Sequence, residues 1–273
     1  MALNENQHID GKFTYIVDNG IAPIHHISGP DQDSRELPGT YEERTLPVKN
    51  GRLIRNELNL GTHGFEFLDH MTTVKDFQNS DELKAVYYPE IEALIQAHTG
   101  ASKVMMFDHT IRIGEENLRQ EKLARAPVNS VHNDYTETSG PKRVRDLLEA
   151  EEAEEALKGR FAIIQVWRPI IDVVERDPLA ICDARSLPKE GFIVVQRKYA
   201  HRTGETYHIT YNPEHQWYYF PNMKRTEAIL FKVFDSDMQS PVRYTAHSAF
   251  EDPTSSADAP PRQSIEARAL VFF

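Results

Sequence analysis

The chain has one cysteine, Cys182, so no intrachain disulfide can brace it. That suits a reducing compartment, and a lone cysteine reads as a small buried hydrophobe. The opening residues, "MALNENQHID", carry no apolar core of signal-peptide length. No stretch approaches the ~20 apolar residues that a membrane helix requires. Positive charge is in deficit too: 31 Lys and Arg stand against 42 Asp and Glu, a formal net charge of -11. A phosphate backbone attracts the opposite sign, which argues against a nucleic-acid partner. There is no internal repeat, no low-complexity tract and no linker. These absences predict a cytoplasmic protein with no membrane partner, folded as one domain over residues 1–273.

What is present supports a sizeable core, since 40% of the residues are hydrophobic. Residues 1–100 read as irregular and helical. "FTYIVDNG" is a strand ending in a turn, and residues 21–50 are a polar surface excursion. Residues 79–100 predict a helix capped by Ser80 or Asp81, stopped by Gly100, and broken or kinked at Pro89. "EENLRQEKLAR" is a short amphipathic helix. Residues 140–159 give the clearest helix, with Pro141 in its first turn and Gly159 at its end.

After Gly159 the character changes. "RFAIIQVWRPI", "GFIVVQRKYA", "TYHITYN", "QWYYFPN", "EAILFKVFDS", "VRYTAHSAF" and "SIEARALVFF" are short runs rich in β-branched and aromatic residues. Most are separated by Pro, Gly, Asn or Asp. No long helical pattern lies between them, so they predict an antiparallel β-sandwich or barrel. The fold class is mainly β with flanking helices, the β-core occupying residues 101–273 with a helix near 141–158.

"SVHNDYTETSG" places His132 and Asp134 one residue apart, just before that helix. An isolated His-x-Asp is most simply a turn with an exposed histidine. The alternative is a mononuclear metal site, in which two imidazoles and a carboxylate occupy one face of the ion and leave positions open. Residues two apart on a strand point the same way, roughly 6.6–7 Å apart, and can converge on one ion. A third ligand must come from downstream, from His201, His208, His215 or His247. His247 is best placed, ending the run "VRYTAH" before an acidic loop.

The last strand opens with Arg262-x-Ser264. A guanidinium fork can hold a carboxylate through two hydrogen bonds, with a hydroxyl donating a third. Glu266 and Arg268 continue the same alternation. The Arg-Ser-Glu-Arg face lies opposite Ile265, Ala267, Ala269 and Val271, so it either meets water or lines a polar cavity.

His132-x-Asp134, the distant His247 and Arg262-x-Ser264 together resemble the pattern of Fe(II)- and 2-oxoglutarate-dependent oxygenases. The segments "HNDYT", "VWRPI", "DPLAICDARS", "HQWYYFPNM", "EAILFKVFDS", "AHSAFEDP" and "PRQSIEARALVFF" are similar, more narrowly, to the fungal and bacterial hydroxylase/desaturase family. The resemblance implies a double-stranded β-helix, a jelly-roll, cupin-like barrel. It implies Fe(II) on His132, Asp134 and His247, with 2-oxoglutarate and O2 as cosubstrates. Arg262 and Ser264 would bind the far carboxylate of 2-oxoglutarate; the spacing from His247 is longer than usual there, which leaves Arg268 as the alternative. The activity implied is hydroxylation, desaturation or ring closure of a small molecule of secondary metabolism by C–H abstraction. Arg168, Gln165 and Tyr135 are candidate substrate contacts, and Arg168 would suit a carboxylic or amino acid. Gln165 and Arg168 are three apart, so an ideal strand turns only one of them inward. Two other readings use the same residues: a non-catalytic jelly-roll binding protein, and a Zn-dependent hydrolase or isomerase.

Overall fold

The computed structural model describes residues 7–28 and 33–273 of the chain. It is mainly β, and its strands form two large sheets. The larger has ten strands, in the order His8–Ile16, Tyr41–Asn50, Trp217–Tyr219, Leu179–Cys182, His247–Ala249, His132–Asn133, Thr203–Ile209, Phe192–Lys198, Ile24–His26 and Ser34–Leu37. The smaller has five: Phe65–Asp69, Glu227–Asp235, Phe161–Pro169, Gln263–Phe272 and Lys103–Ile113, all paired antiparallel. Both sheets are open at their ends, so the described strands do not close into one barrel.

Alternation along the five-stranded sheet assigns its two faces. Phe161, Ile163 and Trp167 join Ile229, Phe231 and Val233 in one buried cluster with Leu179, Ile181 and Tyr218 of the larger sheet. That cluster is the layer between the sheets. The intervening residues Ala162, Ile164, Val166, Ile265, Ala267, Ala269 and Val271 turn the other way and pack against Leu83, Tyr87, Ile91 and Ile95. The central strands are therefore buried on both faces, which is why they read as continuous hydrophobic runs.

The covering helix runs through residues 80–99 without a break at Pro89. A π-helical stretch, Leu83–Tyr87, precedes the proline, and the Tyr88 N–H donates to the Leu83 carbonyl five residues back. This wider turn absorbs a residue that would otherwise interrupt the α-helical ladder. The cap is Asn79, whose side chain accepts from the Asp81 and Glu82 N–H groups, in place of the expected Ser80 or Asp81. Gly100 ends the helix with φ 66°.

Three further expectations change. Residues 140–159 form two helices, Ser139–Leu147 and Ala150–Ala156, separated by an extended Leu148. Leu147 and Leu148 both reach the inter-sheet core across this break. The stretch 21–50 is not an excursion: it contains three strands, and nine of the ten residues of Tyr41–Asn50 pair with His8–Ile16. Only Leu46, Val48 and Asn50 of that strand are buried, and its charged face and Pro47 hid it from a reading by hydrophobicity. Its residues 29–32 lie outside the described part. The strands Phe65–Asp69 and Lys103–Ile113, flanking the smaller sheet, were not anticipated either.

Candidate metal centre and its surroundings

His132 and His247 sit directly opposite one another on adjacent antiparallel strands of the larger sheet. Opposed residues of such a pair project to the same face, and the two imidazole centroids are 4.3 Å apart. Asp134 follows one residue beyond the strand end, with Oδ1 3.4 Å from His132 Nε2. One ligand atom from each of the three lies within 4.8 Å of the other two. Asn133 between them is fully buried and donates to the carbonyls of Tyr135 and Val233, tying this short segment to the facing sheet.

The second nitrogen of each ring is occupied. His132 Nδ1 is 2.8 Å from the Ser130 carbonyl, and His247 Nδ1 is 3.4 Å from the Thr245 carbonyl. A nitrogen facing a carbonyl carries the proton, which leaves Nε2 of each ring as a lone pair. Burial, helped by neighbouring His132, pushes His247 down to about 3, so its imidazole is neutral. Burial opposes ionisation of Asp134, but the nearby Arg268 guanidinium outweighs it and holds the carboxyl well below its usual range. Two imidazoles and one carboxylate converging in one place are a donor set that fits a divalent metal ion.

The facing sheet completes the surroundings. Gln165 and Arg268 are direct partners across the two central strands. Both reach Asp134: Gln165 donates from Nε2 to Oδ2, and Arg268 donates from Nε to the same oxygen at 3.0 Å. Arg268 also donates to Asp108 at 3.0 Å, to Thr110 at 3.1 Å and to Glu266. Glu266 in turn accepts from Arg112 at 2.7 and 3.0 Å. The charged face of the last strand thus lines the interior, and its charges are paired.

Arg262 and Ser264 differ from Arg268. Each is 1% exposed, and Arg262 donates from Nη1 to the Asp177 carbonyl at 2.7 Å with its guanidinium 5.5 Å from the Trp167 ring centroid. Arg262 Nε and Ser264 Oγ have no partner in the fold. Buried donors left open in this way are suited to an incoming carboxylate. Arg268, whose donors are spent on Asp134, Asp108, Thr110 and Glu266, is not.

The remaining sequence candidates separate. Gln165 faces the metal cluster, and Arg168 lies on the opposite face of the same strand. Arg168 is fully buried there and donates to the His70 and Arg225 carbonyls and to His70 Nδ1, far from a substrate-anchoring position. Tyr135 lines a cavity of about 210 Å³ together with His132, Asp134 and Arg268. Among the other histidines, His201 is exposed in a turn. His215 is buried against Tyr15, 3.1 Å from its hydroxyl. His208 pairs across from His132 but its ring stands 6.2 Å away, with Nδ1 on the Tyr41 hydroxyl. The grip of Arg268 on Asp134 was missed from sequence, although the Glu266–Arg268 alternation was its visible trace.

Comparison with known proteins agrees with this geometry. The oxidoreductase/YMDC permease-like domain family matches residues 12–272, and no described helix is long and apolar enough to cross a membrane. Hydroxylase/desaturase efuI of Hormonema carpetanum is 32% identical, covering 96% of this chain and 92% of that one. The alpha-ketoglutarate-dependent dioxygenase phiK of a fungal species is 33% identical over 88% of this chain and 90% of its own. The solved structure of the iron and alpha-ketoglutarate-dependent endoperoxidase NvfI superposes with a TM-score of 0.85 at 24% identity, over 97% of this chain and 98% of that one. The chain therefore belongs to the family of hydroxylase/desaturases and alpha-ketoglutarate-dependent dioxygenases.

Proposed function

We propose that this protein is a non-haem Fe(II)/2-oxoglutarate-dependent oxygenase that hydroxylates, desaturates or cyclises a small molecule of secondary metabolism. The observation that carries the reading is the buried cluster of His132, Asp134 and His247, whose ligand atoms lie within 4.8 Å of one another. In a chain of this family, those three residues would hold the iron. Arg262 and Ser264, with their open buried donors, hold the far carboxylate of 2-oxoglutarate. When bound, iron and 2-oxoglutarate supply the O2-derived oxidant for C–H abstraction, and succinate is released.

The chain's own residues set the conditions for that chemistry. The two imidazoles have Nε2 left for the cluster, because the Ser130 and Thr245 carbonyls engage their Nδ1 atoms. Arg268 and Gln165 occupy Asp134 Oδ2 and leave Oδ1 toward the histidines. The apolar layer of Phe231 and its neighbours keeps water from the inner side of His247, the Phe231 ring centroid being 4.9 Å from the imidazole. We read the two sheets as the double-stranded β-helix of such oxygenases, the 273 residues as one domain and the setting as cytoplasmic.

Anaerobic addition of Fe(II) and 2-oxoglutarate should give the weak visible charge-transfer band of the chelate. His132→Ala and Asp134→Ala should abolish it. Absence of the band from the wild-type protein would sink the reading, and succinate formation under O2 would exclude a zinc hydrolase at the same residues.

A further inference from the structure

His132 also lines a second and larger cavity of about 720 Å³. Its size suits a small organic ligand. The lining runs against the charge of the molecule: in a chain of net charge -11, it holds Arg35, Arg112, Arg119, Arg125 and Arg197 against Asp33 and Glu116. Two of these cations are committed elsewhere. Arg112 is forked onto Glu266, and Arg125 meets Asp33 at 3.3 Å.

Arg197 is different. It donates to no carboxylate among the described residues, and its Nε is buried without a partner. His25 is its direct neighbour on the adjacent strand, and His25 Nε2 is likewise buried without a partner. Burial, followed by the charges of Arg35 and Arg197, keeps the His25 imidazole neutral, so one of its nitrogens is an N–H donor. Both side chains line the same cavity. Unpaired buried donors normally find an acceptor, and the described residues provide none here. Arg197 also lines the smaller cavity beside Asp134, as do His132, Arg112, Arg125 and Val128, so the two spaces share a wall that includes one residue of the metal cluster, His132.

We propose that the larger cavity binds the carboxylate of the substrate, with Arg197 and His25 as donors, so that the substrate is a small organic acid. A guanidinium edge beside an imidazole N–H offers donors in the arrangement a carboxylate accepts. The inference deepens the oxygenase reading and rests on it for the placing of the reacting carbon toward His132. It also moves the anchoring role from Arg168, which lies on the face of its strand opposite the metal cluster, to Arg197, which lines both cavities.

The test uses the whole chain and two fluorescent probes, 1-pyrenebutyrate and its uncharged counterpart 1-pyrenebutanol. The wild-type protein should bind the acid at least about ten-fold more tightly than the alcohol, roughly the loss of one charge-assisted interaction. Arg197→Gln should cut that preference to about three-fold or less. Should Arg197→Gln fail to fold, Arg197→Lys, which keeps the charge but not the fork, should give an intermediate preference. No saturable binding of the acid, equal binding of acid and alcohol, or a preference unchanged in the variant would each overturn the proposal. So would competitive displacement of the acid by 2-oxoglutarate, which would assign the cavity to the cosubstrate and leave the oxygenase reading intact. A preserved acid preference without the iron–cosubstrate band would have the opposite meaning: the anion site stands and the oxygenase reading falls.

Discussion

Arg268 holds Asp134 from behind: its Nε lies 3.0 Å from Oδ2, the oxygen turned away from His132. The two residues come from different sheets, and Arg268 is anchored in turn by Asp108, Thr110 and Glu266. A metal-binding carboxylate oriented by a fixed partner keeps its free oxygen in one place.

Arg268→Gln should therefore lower affinity for Fe(II), or for Co(II) as a stable substitute, by roughly 10–100-fold. Anaerobic titration of the Co(II) visible spectrum measures it. If metal affinity is unchanged and only the 2-oxoglutarate requirement rises, Arg268 is the cosubstrate clamp after all.

Arg262→Ala should behave in the reverse way. The requirement for 2-oxoglutarate should rise about ten-fold or more, since a hydrogen bond to a charged group contributes about 1.5–3 kcal/mol, while Co(II) binding stays near wild type. Titrating the iron band with 2-oxoglutarate reads this directly. An equal loss of metal in Arg262→Ala would count against the clamp.

Gly64 links backbone conformation to the site. It has φ 88°, and a Cβ there would stand 2.3 Å from Thr245 Oγ1. The Thr245 carbonyl is the one facing His247 Nδ1. Gly64→Ala combines a left-handed strain with overpacking, and should cost about 1–3 kcal/mol in urea unfolding. It should also weaken Co(II) binding, whereas a purely local strain would leave metal affinity alone.

His215 gives a pH signature outside the metal cluster. Burial pushes it down from 6.5 to about 4. Between those values the unfolded chain takes up a proton that the folded chain refuses. Stability is thus full above about pH 6.5 and falls as pH drops toward about 4, by roughly 1.4 kcal/mol per pH unit from this residue. His215→Gln should flatten that part of the melting-temperature profile. An unchanged slope would show that His215 is protonated in the fold.

The sequence was most informative where both faces of a strand carried meaning. In the last strand, the alternation of Ser264, Glu266 and Arg268 with Ile265, Ala267 and Ala269 already separated a polar face from an apolar one, without saying whether the polar face met water or a cavity. The structure adds that the apolar face lies under the helix of residues 80–99. Arg168 shows the limit of such reading. Its spacing from Gln165 required opposite faces, but nothing local said which face looks inward, because the strand is buried on both sides. The first hundred residues were least legible. Tyr41–Asn50 owes its strand to nine-residue pairing with His8–Ile16, a long-range partnership that its charged local sequence does not announce. The pair of orphaned donors at His25 and Arg197 depends on the same kind of partnership, between strands far apart in the chain.

The direct opposition of His132 and His247 ties metal binding to the way the chain is assembled. Shifting either strand by one residue would turn its side chains to the other face, and the strands concerned are only two and three residues long, with few hydrogen bonds to resist a slip. A slip of either strand would take its histidine, His132 or His247, away from the other. Metal ions present during folding would therefore select the correct pairing from its neighbours, so that the ion acts as a proofreader of strand alignment before it takes part in any reaction.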